Sequence, residues 1–166
     1  MNRARTAVAK GFTLVEILIV VVILGILAAI VIPQFTNASE SAKFSSMLSQ
    51  LQTIRSQVEL YTNQHNDDYP TADGGSDSAW DWARLTSETE LDGTAPETGD
   101  IVYGPYLQKT PLNPFEDSST VSGTPDTDGT AAAGVGWVWE GGLLKACMEA
   151  DKATELGAAA TDVATY

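Results

Sequence analysis

Two hydrophobic patterns follow one another along the chain. From Phe12 to Ile32 nearly every position is apolar, with Thr13, Glu16 and Gly25 as the breaks. At about 1.5 Å rise per residue this run predicts a helix of roughly 31 Å, the thickness of a bilayer's hydrocarbon core of about 30 Å. After Pro33 the pattern thins: Phe44, Met47, Leu48, Leu51, Ile54, Val58 and Tyr61 recur at spacings of three and four between Ser, Gln and Asn. That is the period of an amphipathic helix, so residues 34–65 read as a stem continuing from the membrane segment at 12–33. A stem of roughly 50 residues extends on the order of 75 Å, and its apolar stripe must pack on the head formed by residues 66–166.

The head reads as short elements between turns. Asn, Asp, Pro and Gly cluster from 66 to 75, a short helix is predicted over 77–85, and residues 86–100 read as an acidic surface loop. Trp80 and Trp82, two residues apart, do not share a helix face, so one is expected to be packed and the other exposed. Gly136–Glu140 reads as a strand, Gly141-Gly142 as a turn, and Leu143–Ala146 as the second strand of a hairpin. The tail from about 147 is rich in Ala, Thr and Asp and reads as weakly helical or disordered. The predicted fold class is α+β, a long N-terminal helix packed on a small antiparallel sheet, and no internal repeat is visible.

Composition narrows the function. The net charge is −13, and loss of Arg3, Arg5 and Lys10 would make it −13 − 3 = −16. Nucleic acid and anionic membrane surfaces are therefore poor partners for the head. The single cysteine, Cys147, excludes an internal disulfide and reads as a small buried apolar residue. His65, the only histidine, lies in a polar turn, and the chain has no phosphate loop, CxxC pair or zinc spacing, so an enzyme is not expected.

The informative residue is Glu16. A carboxylate within a membrane segment costs on the order of 2.5 to 3.5 kcal/mol on insertion scales, so it marks a functional position that needs a partner. A secretory signal peptide has a shorter apolar run and a small-residue cleavage motif, neither of which fits residues 17–33. A plain signal anchor, with the basic residues held in the cytoplasm, leaves Glu16 unexplained. The helix macrodipole supplies part of an explanation, because it favours an anion near the N-terminus.

Gly11-Phe12-Thr13-Leu14-Val15-Glu16, behind a short basic leader and ahead of the run to Pro33, resembles the class III signal of type IV pilins and type II secretion pseudopilins. The resemblance implies a leader at 1–11, cleavage by a prepilin peptidase between Gly11 and Phe12, and N-methylation of Phe12. The new cationic amine would then pair with Glu16 of a neighbouring subunit, because each charge is costly alone. Gly25 and Pro33 weaken the helix between them, and in this family that stretch can lose helicity on assembly, so local melting or a kink is expected there.

A second stretch, Gly104-Pro105-Tyr106-Leu107 followed by Pro111-Leu112-Asn113-Pro114-Phe115, resembles the major pseudopilin of the type II secretion system. Its prolines fix φ and require an extended connector, with Tyr106, Leu107 and Phe115 available to pack on the stem. The resemblance implies a structural subunit that self-associates into a short periplasmic filament for protein export. Its implied partners are the peptidase, minor pseudopilins and an inner-membrane assembly platform, with a single pass through the inner membrane and the head in the periplasm. It also implies calcium, for which Asp117, Asp126 and Asp128 are the candidate ligands, since Ca²⁺ takes carboxylate and carbonyl oxygens. A type IV pilin for adhesion, motility or DNA uptake is the nearest alternative, though the absent disulfide counts against it. An uncleaved, membrane-anchored binding or sensor protein, using Trp80 and Trp82, is the other.

Overall fold

A computed structural model describes residues 11–76, 78–97, 101–122, 134–159 and 162–165. The chain divides into two compact units, residues 1–40 and 41–166. Helix α1 spans Leu14–Gln64 and contributes to both.

In the first unit every described residue from Gly11 to Ser39 is exposed. The expected melting around Gly25 and Pro33 is not found, and both residues lie within regular helix. A proline removes its own N–H, here the bond to the Ala29 carbonyl, while the bonds on either side hold the helix; membrane helices tolerate this readily. Gly25 and Pro33 therefore do not interrupt α1 in a single chain.

In the second unit the stripe predicted from spacing is the stem's buried face: Met47, Leu51, Ile54, Val58 and Tyr61 are buried, with Phe44 and Leu48 partly so. They form one core with Trp137, Trp139, Leu144, Ala146, Met148 and Val163 of the sheet. Burying each such side chain contributes roughly 1.5 to 3 kcal/mol, which is what holds the stem to the head.

The sheet has strands β1 (Val121–Ser122), β2 (Trp137–Glu140), β3 (Leu143–Met148) and β4 (Val163–Thr165), in that spatial order. Strands β2 and β3 form the predicted antiparallel hairpin, with Trp137 opposite Ala146 and Glu140 opposite Leu143. Its two-residue turn has φ of 55° at Gly141 and 83° at Gly142, the left-handed pair that this turn requires. Both outer strands run parallel to their neighbours, so the sheet is mixed rather than purely antiparallel. The reason is connectivity. Helix α3 (Ala150–Leu156) carries the chain from β3 back to begin β4 at the same end, and such crossovers produce parallel pairs. On β2 and β3 the side chains alternate as a pleat demands: Trp137 and Trp139 join the main core, while Val138 meets Cys147 in a smaller cluster on the other face.

Two further expectations hold only in part. The helix expected over 77–85 is only α2 (Ala83–Thr86), and Trp80 before it is held in a bridge with Thr71 instead. The tail, expected to be weakly helical or disordered, is helical at α3, as expected, and also holds the end of β3 and the strand β4, which were not foreseen. Gly157, at φ 67°, stops α3 in the left-handed conformation, its N–H donating back to the Ala153 and Thr154 carbonyls.

Candidate assembly site

The start of α1 is built by Thr13. Its hydroxyl oxygen accepts the Glu16 N–H at 3.2 Å and its carbonyl accepts the Ile17 N–H at 3.3 Å. Thr13 is thus the N-cap, and Thr-x-x-Glu is the residue pattern of a capping box. That pattern ahead of an apolar run is itself a sequence signal for a helix start. Residues 11–13 lie outside the helix, so the Gly11–Phe12 peptide bond is in non-helical chain. Phe12 is 79% exposed.

Glu16 stands one turn into α1 with its side chain exposed, and among the described residues it makes no ion pair. The structure therefore places Gly11, Phe12, Thr13 and Glu16 together at one helix end. Gly25 and Pro33 lie further along the same apolar surface. Among the described residues, α1 is the one helix long and apolar enough to cross a membrane.

The second motif lies along the stem's end and the sheet. The N–H groups of Tyr106 and Leu107 both donate to the Leu85 carbonyl, and the Tyr106 hydroxyl donates to Gln64 Oε1 at 2.6 Å. Burial, reinforced by the neighbouring phenols of Tyr61 and Tyr103, pushes the Tyr106 pKa up to about 12. Asn113 is wholly buried. Its amide donates to the carbonyls of Gly136 at 2.6 Å and Cys147 at 2.7 Å, while its Oδ1 accepts the Phe115 N–H. One side chain thus ties the connector to the start of β2 and to β3.

His65 is not in a solvated turn. It is fully buried, stacked on Tyr61 with ring centroids 3.8 Å apart. Nδ1 donates to the Tyr61 carbonyl, which can only accept, at 2.8 Å, and Nε2 lies within hydrogen-bond distance of the Thr89 hydroxyl at 3.0 Å. Trp80 and Trp82 are both half-buried, edge to face at 5.1 Å, and packed against the main core, so neither is the exposed partner expected. Trp82 Nε1 donates to the Ser119 carbonyl, a structural use of the ring. Cys147 is buried as expected, and burial pushes its pKa up to about 12.

Of the three candidate calcium ligands, Asp117 is an exposed turn residue at φ 49°, while Asp126 and Asp128 lie outside the described residues. The adjacent Glu116 spends Oε2 on the Gly134 N–H. Among the described residues no group of three or more His, Cys, Asp or Glu side chains is placed to hold a metal. Asp117 alone does not fit a calcium site, and no function is routed through one.

These features define a class: a helix-anchored chain whose exposed apolar segment begins with a capped, singly charged end and whose other half carries a small α+β head. The family of the prokaryotic N-terminal methylation motif matches residues 7–32. The chain is 31% identical to the type II secretion system core protein G of Dickeya chrysanthemi, over 64% of this chain and 63% of that protein. It is 36% identical to the core protein G of Klebsiella michiganensis, over 64% of this chain and 68% of that one. Against the type IV narrow pilus major component PilA5 of Thermus thermophilus it is 36% identical over 50% of this chain and 77% of the relative. No solved structure matches the chain. The chain belongs to the family of type II secretion pseudopilins and type IV pilins, alongside the core proteins G. The match spans just under two thirds of the Dickeya relative's length.

Proposed function

We propose that the protein is a structural subunit of a type II secretion pseudopilus, held in the inner membrane by α1 with its head in the periplasm until it is drawn into the filament. The observation that carries this reading is the exposed apolar segment with one carboxylate, Glu16, four residues beyond Phe12, inside the matched methylation motif. An apolar surface this large requires lipid or other helices to cover it. Cleavage after Gly11 would create an amine at Phe12, and an amine from one subunit beside Glu16 of another would neutralise both charges and fix the axial register of the two helices. The role is architectural, with prepilin peptidase acting on the chain and minor pseudopilins and an assembly platform as partners.

The test is the intact mass and N-terminal sequence of the protein extracted from its native membrane. A start at Phe12 with one added methyl group is expected, and a start at Met1 would overturn the proposal in favour of an uncleaved anchored protein. The similarity to the Thermus pilus component favours one second reading, a type IV pilus subunit. Electron microscopy of cells separates the two, because a pilus extends beyond the cell surface and a periplasmic pseudopilus does not.

A further inference from the structure

Among the described residues, the head has a groove whose lining contains no acidic side chain, in a chain with 22 Asp and Glu against 9 Lys and Arg. It measures about 650 Å³ and runs between the stem, at Ser49 and Thr53, and the connector, at Leu107, Pro111 and Leu112, with Lys109 on its rim. Leu112 is 48% exposed. Among the described residues Lys109 has no carboxylate within ion-pair distance, unlike Arg55, Lys145 and Lys152, which each have one.

Elsewhere on the head, an antiparallel bridge between Thr89 and Tyr103 joins the segment that runs on to Leu91 with the segment that carries Ile101 and Val102. Leu91, Ile101 and Val102 are exposed, Ile101 to 77%. Glu88, Glu90 and Asp92 lie in the same stretch. The nearby Arg84 directs its guanidinium to the Tyr61 hydroxyl and the carbonyls of Asp92 and Ala72, and among the described residues it forms no ion pair with these carboxylates. Glu90 and Asp92 bond to local N–H groups, which leaves Glu88 exposed and available.

We propose that the groove beside Lys109 receives the Leu91–Ile101–Val102 edge of a second copy of this chain, with Glu88 of that copy facing Lys109. The two surfaces match in chemistry, apolar against apolar and a lysine without an ion pair against an acidic rim, and they lie on different parts of one head. A contact between different patches of identical subunits is heterologous, and it propagates into an open filament instead of closing as a dimer. The inference rests on the filament reading and adds a contact between heads to the one at Glu16.

The test uses the full chain in its native membrane with cysteines placed at Ile101→Cys and Leu112→Cys. Both positions are exposed, and the native Cys147 is buried, so background coupling is small. After mild oxidation of the assembled fraction, the double variant is expected to give a ladder of dimers, trimers and larger species, and each single variant only monomer. Lys109→Glu should abolish the ladder and Glu88→Lys in the same chain should restore it. Filaments that start at Phe12 and sediment normally but yield no ladder would overturn this contact alone. Ladders from a single variant would also overturn it, by showing a symmetric contact. A chain that begins at Met1 and never sediments would overturn the filament reading and this inference with it.

Discussion

Arg55, on the stem, donates Nη1 to Asp162 Oδ1 at 2.7 Å, while its Nε and Nη2 both donate to the Leu144 carbonyl at 2.9 and 2.7 Å. The three bonds join α1 to β3 and to the residue before β4. Both side chains are about 30% exposed, so the backbone carbonyl, which loses its donors if Arg55 is removed, matters more than the ion pair. Arg55→Met keeps most of the apolar stem of the side chain and is expected to lower unfolding stability by about 1–3 kcal/mol. Asp162→Asn should cost less, since it leaves the bonds to Leu144 in place. Urea unfolding of the two variants in one buffer checks the ranking.

Asn113 occupies a buried position where three backbone groups depend on one amide. Asn113→Ala leaves the Gly136 and Cys147 carbonyls without this donor and the Phe115 N–H without its acceptor. A loss of about 2–4 kcal/mol is expected, from the usual cost of unsatisfied buried polar groups. Because the bonds hold the start of β2 and the end of β3, amide exchange should accelerate in residues 136–148 before it does in the stem.

The head should be sensitive to alkali. Burial raises the Cys147 thiol to about 12 and the Tyr106 phenol to about 12, and it raises Tyr61 against the opposing influence of Arg84. A raised folded pKa means that the unfolded chain releases its proton first, so the stability these groups contribute is complete below their unfolded values and is lost as pH climbs towards the folded ones. With an unfolded thiol near 8.5 and phenols near 10, denaturation midpoints should fall from about pH 8.5 upward. Cys147→Ala should move the onset to about pH 10. Thiol-alkylation of the folded protein at about pH 8 should be slow, for the same reason.

At the other end of the chain, Thr13 can be tested by what its hydroxyl does. Thr13→Val keeps the shape and removes the acceptor of the Glu16 N–H, at a cost of about 1 kcal/mol for a lost N-cap. Exchange of the Glu16 amide in detergent micelles should quicken by roughly fivefold, and Thr13→Ser should restore it. An unchanged rate in the Val variant would show that the first turn holds without its cap.

Periodicity made the stem legible, because a buried stripe needs apolar residues every three or four positions and the chain supplies them. Extending that count four places past Tyr61 reaches His65, which continues the stripe; its polar neighbours concealed it. The β2–β3 hairpin was equally readable, with alternating Trp and a Gly-Gly turn. Helix α3 was legible only as a weak helical tendency of the tail, and strand β4 was not legible, since Ala- and Thr-rich segments bury little surface of their own and β4 takes its structure from β3. Strand direction at the sheet's edges was hidden too, as it depends on crossovers and not on local pattern. Of the assembly site, Gly11, Phe12 and Glu16 stood out as a motif, whereas the capping role of Thr13 emerged only with the hydrogen bond itself.

The Arg55–Asp162 contact spans 107 residues of sequence. At roughly 5–20 residues per second of synthesis, the stem waits on the order of 5–20 s after it is made before its clamp arrives. For most of that interval the stripe from Met47 to Tyr61 has none of the sheet to cover it. A newborn chain therefore carries an uncovered apolar stripe through a period that the finished molecule no longer records.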